Sequence, residues 1–211
     1  VAAFFTIMTK VGIYAILRIN GTVFDDPLSH SILAPWLLTI GLITSLYGAI
    51  AAPGAERLRR FVGFMILSSI GTILIAISLF NTEAWAAALY YLVHSTLIAA
   101  AFYLLSGWIT SQRGEFKDHF KIAPQIKQHK VVSITYFIIA LMMAGLPPFS
   151  GFFGKVFLLQ ATAQSPYQLV IIITVLVVSL LSIIAFTRVG FILFWRSTKP
   201  EVDPKKPEYA K

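Results

Sequence analysis

The apolar residues of this chain come in blocks of about twenty, and that pattern decides most of what it can fold into. A helix rising about 1.5 Å per residue crosses a bilayer core of about 30 Å in that length. In hydrocarbon every backbone N–H and C=O must be satisfied within the segment, so such blocks become helices. They fall at about 1–19, 31–52, 61–80, 84–108, 131–163 and 167–195. The sequence therefore predicts an all-α integral membrane protein with about six transmembrane helices. A polytopic membrane domain would fill 1–196, followed by a basic cytoplasmic tail over 197–211. Composition agrees: 57% of residues are hydrophobic and 12% charged, about half the charge of a soluble domain.

The net charge of +8 is distributed by loop. Arg57, Arg59 and Arg60 follow the second block. Arg113, Lys117, Lys121, Lys127 and Lys130 follow the fourth, and Arg196, Lys199, Lys205, Lys206 and Lys211 follow the last. The intervening connections (20–30, 81–83 and 164–166) contain no Lys or Arg, and hold Asp25, Asp26 and Glu83. By the positive-inside rule the basic loops are cytoplasmic, and six crossings put both ends on that side. The positive charge thus suits lipid headgroups and a membrane orientation, and no nucleic-acid partner is expected. The 109–130 connection is polar enough for a short surface helix. Val1 already lies in an apolar run with no charged leader before it, so the chain reads as part of something longer.

Most enzyme classes lack their parts. There is no cysteine, no Gly-rich phosphate loop, no metal-ligand spacing, no Ser–His–Asp set and no carboxylate deep in any block. No cofactor and no metal is expected. What the blocks do contain is a few protonatable groups at membrane depth, where a charge costs about 2.5–3.5 kcal/mol. Lys10 lies about 13 Å from either end of the first block, too deep for easy snorkelling. Thr6, Lys10 and Tyr14 are spaced i, i+4, i+8, which predicts one shared face. Lys10 reads either as a lysine satisfied by neighbouring helices or as a proton exchanger, since desolvation disfavours the ammonium form.

His94, in "YYLVHSTLIAAAF", is near the middle of the fourth block, and reads as a proton relay or as a hydrogen-bonded structural histidine. The fifth block carries "AGLPPFSGFFGKVFLL": Gly145, Pro147, Pro148, Gly151 and Gly154 break the helix ahead of Lys155. Unwound backbone persists in a membrane only inside protein or beside water, and such breaks recur at transporter ion sites. The break predicts Lys155 about 10–12 Å beyond it. A kink used only for packing is the competing reading. Ser68, Ser69 and Thr72 in "SSIGT" suit close helix packing. Arg188, near the basic end of the last block, reads as a snorkelling residue. His30, His119 and His129 fall in connections and are expected to be solvated.

"MTKVGIYAILR", "YYLVHSTLIAAAFYLLSG" and "AGLPPFSGFFGKVFLLQA" together resemble the antiporter-like, proton-translocating membrane subunits shared by respiratory complex I and the multi-subunit Mrp-type Na+/H+ antiporters. With lysine in the last motif, the wording resembles the D-subunit branch of the Mrp type. The resemblance implies a fourteen-helix fold with inverted repeats, of which these blocks would be the eighth to thirteenth helices. It implies a bacterial plasma (inner) membrane and partners among the other antiporter subunits, with H+ and Na+ as transported ions. By position Lys10 would be the central relay lysine, His94 a bridging relay and Lys155 the terminal proton exchanger. Ser69 stands where many relatives carry histidine or glutamine, so relay there would depend on water with Ser68, Ser69 and Thr72. Two alternatives stay open: a subunit of a redox-driven NADH:quinone oxidoreductase pump, and a structural membrane scaffold.

Overall fold

The computed structural model describes residues 2–24, 26–113, 116, 118–120 and 128–195. Its regular structure is helical throughout, apart from one isolated bridge. Seven α-helices follow in order: α1 (Ala2–Asn20), α2 (Pro27–Ala51), α3 (Leu58–Ile77), α4 (Thr82–Gln112), α5 (His129–Ala144), α6 (Ser150–Ala161) and α7 (Gln168–Gly190). A 3-10 turn over Ala52–Gly54 extends α2, and a π-helix over Phe191–Trp195 extends α7. Among the described residues four helices are long and apolar enough to cross a membrane: Pro27–Gly54, Leu58–Ile77, Thr82–Gln112 and Gln168–Trp195. The fifth expected block is divided into α5 and α6, as its prolines and glycines foretold.

Local chemistry sets the helix ends. Asp26 caps α2, its carboxylate accepting from the Ser29 amide at 2.9 Å, and Pro27 opens the first turn. This cap draws "PLSHS" into the helix, so α2 starts ahead of the expected residue 31. Asn81 caps α4 through Ala84 N at 2.6 Å, and its Nδ2 donates to Ala161 O at 3.1 Å, joining the start of α4 to the end of α6. At 31 residues α4 spans about 46 Å and outruns the hydrocarbon.

α3 is the central helix, with 72% of its apolar window buried. Against α2 the contact is backbone to backbone. A Cβ on Gly71 would meet Ser45 N at 2.3 Å, and one on Gly48 would meet Ser68 N at 2.5 Å. Small residues of this kind let membrane helices pack without a hydrophobic driving force between them.

Two apolar cores form. One gathers Phe61, Val62 and Met65 of α3, Ile98 and Phe102 of α4, Tyr136 and Ile139 of α5, and Phe186 and Val189 of α7. The other gathers Ile13 and Leu17 of α1, Ile73 to Ile77 of α3, Ala87, Ala88 and Tyr91 of α4, Leu158 of α6, and Ile171 and Val175 of α7. Between the two cores three helices place inward-facing polar side chains among their apolar residues: Ser68, Ser69 and Thr72 on α3, His94 and Ser95 on α4, Ser179 and Ser182 on α7. A polar layer thus runs across the bundle between the two cores.

The connections hold three corrections. His30 is in the first turn of α2 and half-buried, its ring stacked on Phe80 at 4.2 Å. His129 opens α5 and its Nε2 lies 3.1 Å from Phe194 O. His119 pairs with Arg57 in the isolated bridge, with Leu58 N donating to Asp118 O at 2.8 Å and Phe120 N to Glu56 O at 3.0 Å. All three were expected to be solvated; each instead meets a neighbouring segment whose distance along the chain hides the contact. Arg188 is exposed at the basic end and donates to Pro53 O. Asp25, Lys117, Lys121, Lys127 and the tail 197–211 lie outside the described residues, as does most of the proposed surface helix in 109–130.

Candidate functional site

The polar layer contains the three protonatable residues read from the sequence. Lys10, His94 and Lys155 are 3%, 8% and 7% exposed, on α1, α4 and α6. The described carboxylates, Asp26, Glu56, Glu83 and Asp118, are all at helix ends or in connections. Both ammonium groups therefore sit against uncharged oxygens. Among the described residues no group of His, Asp or Glu could hold a metal ion.

Lys10 Nζ donates to Ser69 Oγ at 2.9 Å, and Ser69 Oγ in turn donates to Ile66 O at 2.7 Å. Ser69 is 7% exposed and lines the central cavity, so it stands between Lys10 and that cavity. Thr6, Lys10, Ile13 and Leu17 form the buried side of α1, and Tyr14 does not join it: it is 47% exposed. The expectation of one face for Thr6, Lys10 and Tyr14 fails because two i+4 steps drift about 80° around a helix of 3.6 residues per turn. The face instead follows 3- and 4-residue steps in alternation.

The break between α5 and α6 is closed by backbone and side chains together. Gly145, at φ 78°, ends α5 in a left-handed turn. Leu146 N donates to Leu141 O at 3.1 Å and Gly145 N to Met142 O at 3.3 Å, the paired bonds of a Schellman cap. Beyond these, the carbonyl of Ala144 accepts from Lys155 Nζ at 2.6 Å. The lysine also donates to Ser179 Oγ of α7 at 2.9 Å, and this hydroxyl donates to Val175 O at 2.7 Å. Lys155 was expected well beyond the break. Two facts bring its ammonium back: α6 starts at Ser150, only five residues before it, and helical side chains lean toward the N-terminus. Its charge lies at the carbonyl end of α5, where the helix dipole favours a cation. The Pro147–Pro148 peptide is cis.

His94 bridges the same break from α4. Its Nδ1 lies 2.8 Å from Ser150 Oγ, at the first turn of α6, and its ring also meets the Met142 carbonyl of α5. A carbonyl only accepts, so a neutral ring with its proton on Nε2 suits this position, Nδ1 then accepting from the Ser150 hydroxyl. On protonation Nδ1 becomes a donor, and the hydroxyl can turn to accept. Ser150 therefore tolerates both charge states. Gly151 makes room for this arrangement: a Cβ there would lie 2.3 Å from Met142 O and 2.8 Å from His94 Nε2. His94 is within electrostatic range of both Lys10 and Lys155.

Between these groups lies a cavity lined by the polar side chains of Ser68, Ser69, Thr72, Tyr91, His94, Ser95, Lys155 and Ser182 together with the apolar Met65, Ile98, Met143 and Val178. Its volume is about 10 Å³, near the lower bound for holding a water. A second, apolar groove of about 720 Å³ runs along α4 and α5 and reaches His94 and Ser150 from the side. The site thus combines titratable nitrogens, hydroxyls that both donate and accept, and a narrow cavity of mixed polar and apolar lining, parts that proton hopping needs. Ser68 and Thr72 line this cavity, and the Ser68 backbone also lies against Gly48 of α2. Ser150, Ser179 and Ser182 are residues that sequence reasoning missed. Their only signal is a hydroxyl in apolar surroundings, at the first residue after Pro147–Pro148–Phe149 and at a three-residue spacing in α7.

Comparison with known proteins accords with this architecture. A family model described as NADH:quinone oxidoreductase/Mrp antiporter, TM, matches residues 1–182. The D-subunit of a probable K(+)/H(+) antiporter of Rhizobium meliloti is 32% identical over 93% of this chain and 42% of its own length. The D-subunit of the Na(+)/H(+) antiporter of Bacillus subtilis is 30% identical over 96% of this chain and 40% of its own length. The chain thus spans about two fifths of these relatives. Among solved structures, the Mrp complex from Dietzia sp. has a chain with a TM-score of 0.77 at 28% identity, covering 88% of this chain and 34% of that one. Respiratory complex I from Thermus thermophilus, at 23% identity, shares the fold with a TM-score of 0.71 over 89% of this chain and 38% of that one.

Proposed function

The chain belongs to the NADH:quinone oxidoreductase/Mrp antiporter membrane family, and on that premise we propose that it is the proton-conducting part of a cation/proton antiporter subunit. Protons move laterally through the polar layer, between Lys10, His94 and Lys155, by way of water and the hydroxyls of Ser68, Ser69 and Thr72. The observation that carries this reading is the layer itself: polar side chains of α3, α4 and α7 cluster between two apolar cores, and both buried lysines beside them rest on neutral acceptors. A scaffold would have no use for two buried ammonium groups that cost several kcal/mol each.

In this reading α1 and the α5–α6 pair also cross the membrane, giving six crossings in a fourteen-helix, inverted-repeat subunit of a bacterial plasma membrane. The basic connections face the cytoplasm, where anionic lipid surrounds them. Other antiporter subunits are the partners. The two relatives are named for different cations, K+ and Na+, at 32% and 30% identity, so the cation is taken as monovalent, with Na+ the first to test.

The test is transport by the complete complex in everted vesicles carrying a pH-sensitive dye. Lys10→Ala and Lys155→Ala should each abolish cation-driven pH changes. Transport retained in both variants would overturn the roles. The fold shared with respiratory complex I supports a redox-driven pump as the second reading. Purification of the native assembly separates the two: small antiporter subunits favour the first, quinone- and iron–sulfur-binding subunits the second.

A further inference from the structure

The geometry around Lys155 points to Ser179 as the residue that positions the terminal lysine. The inference rests on the reading of Lys155 as a proton exchanger. An ammonium has three N–H bonds. One is held by Ala144 O at 2.6 Å and a second by Ser179 Oγ at 2.9 Å. Ser179 is available only as an acceptor, because its own proton is held by Val175 O at 2.7 Å. The aliphatic arm is confined as well: it passes over Gly145, where an added Cβ would come within 3.0 Å of Cε and 3.1 Å of Cδ. With the arm confined and two donors committed to two acceptors on different helices, the ammonium cannot spin. One N–H is left for the cavity that Lys155 lines together with His94, Ser95 and Ser182.

Without Ser179 the ammonium keeps a single anchor and rotates about it. The exchangeable proton is then spread over several directions instead of one. Ser182, three residues on, lines the cavity and likewise donates to its i−4 carbonyl, Val178 O, but the Lys155 ammonium bonds Ser179. Ser179 is therefore the α7 residue that ties the lysine, and α7 takes part in the relay through it. Ser179 is a positioning residue and acts through Lys155.

The experiment compares Ser179→Thr with Ser179→Val in the complete complex, in everted vesicles, with Ser179→Ala and Lys155→Ala alongside. Thr and Val have nearly the same shape and differ in the hydroxyl, and Thr can bond the same i−4 carbonyl. Ser179→Val and Ser179→Ala should each lose about tenfold in transport rate, the scale of one charge-assisted hydrogen bond. Ser179→Thr should recover most of it at equal complex assembly. If Lys155→Ala abolishes transport while Ser179→Val matches wild type, or while Thr and Val are equally impaired, the role of Ser179 is wrong and that of Lys155 stands. If Lys155→Ala transports normally, the underlying reading fails. Should Ser179→Ala prevent assembly, the Thr/Val pair still decides.

Discussion

Replacing Gly151 by alanine tests the architecture of the break with one methyl group. The added Cβ would lie 2.3 Å from Met142 O, 2.8 Å from His94 Nε2 and 3.2 Å from Gly145 Cα. Ordinary C···O contacts are about 3.3–3.6 Å, so α6 must withdraw from the end of α5 by about 1 Å. A carbonyl in a Schellman cap cannot step aside as the tip of a flexible side chain can. Overpacking of this kind costs about 1–3 kcal/mol. The same movement carries Lys155 Nζ from 2.6 Å past hydrogen-bonding distance to Ala144 O, and pushes the His94 ring off Ser150. Misplacement by about 1 Å at a reacting centre costs on the order of a hundredfold in rate. Cation-driven pH change in everted vesicles, normalised to assembled complex, should fall by about that factor. Gly12→Ala, on a helix position with no atom within 4 Å of its added Cβ, is the control and should transport normally. A Gly151→Ala complex with wild-type rate and wild-type thermal stability would refute the reasoning.

Other outcomes follow from the same contacts. Ser69→Ala removes the hydroxyl that accepts from Lys10 and borders the cavity, so transport should drop at least tenfold, while Ser69→Thr retains most of it. Gly71→Ala would drive a Cβ to 2.3 Å from Ser45 N and force α2 off α3; thermal unfolding of the detergent-solubilised complex should move down by the equivalent of about 1–3 kcal/mol. Ser29 donors hold the Asp26 carboxyl below the usual carboxylate range, so its stabilisation of α2 is present above the unfolded value and is lost as pH falls through the folded one. Asp26→Asn, which can still cap, should therefore leave proteolysis near residues 20–30 unchanged at neutral pH and remove its rise in acid.

The parts of the site that were legible in the sequence are those that violate the solvent. A lysine at the middle of an apolar block, a histidine at the middle of another and two prolines ahead of a second lysine are expensive in hydrocarbon. Lys10, His94 and Lys155 therefore stand out without any structure. Residues that obey local rules do not stand out. Ser179 and Ser182 bond their own i−4 carbonyls, as serines in membrane helices commonly do, and only the fold reveals that one of them also holds Lys155. Ser150 reads as ordinary loop polarity until α6 is seen to begin there. Tyr14 is drawn toward the site by an i+8 spacing, and helical drift carries it out. Relative depth is the other hidden quantity. The polar layer forms because Ser68, Ser69 and Thr72, His94 and Ser95, and Ser179 and Ser182 lie between the same two cores, and that alignment depends on where each helix begins. Caps such as Asp26 and Asn81 set those starts, and the apolar blocks alone do not locate them to within a turn.

The measurement that bears most directly on the polar layer as a proton path is a cryo-EM map of the complete complex, at a resolution that displays ordered water. Ser69, His94 and Lys155 border a cavity of about 10 Å³, the smallest size that holds a water. Ordered water is predicted there, bonded to Ser69, Ser95 or Ser182 and within reach of both His94 and Lys155. A dry layer, with these side chains packed directly on apolar neighbours, would contradict the account.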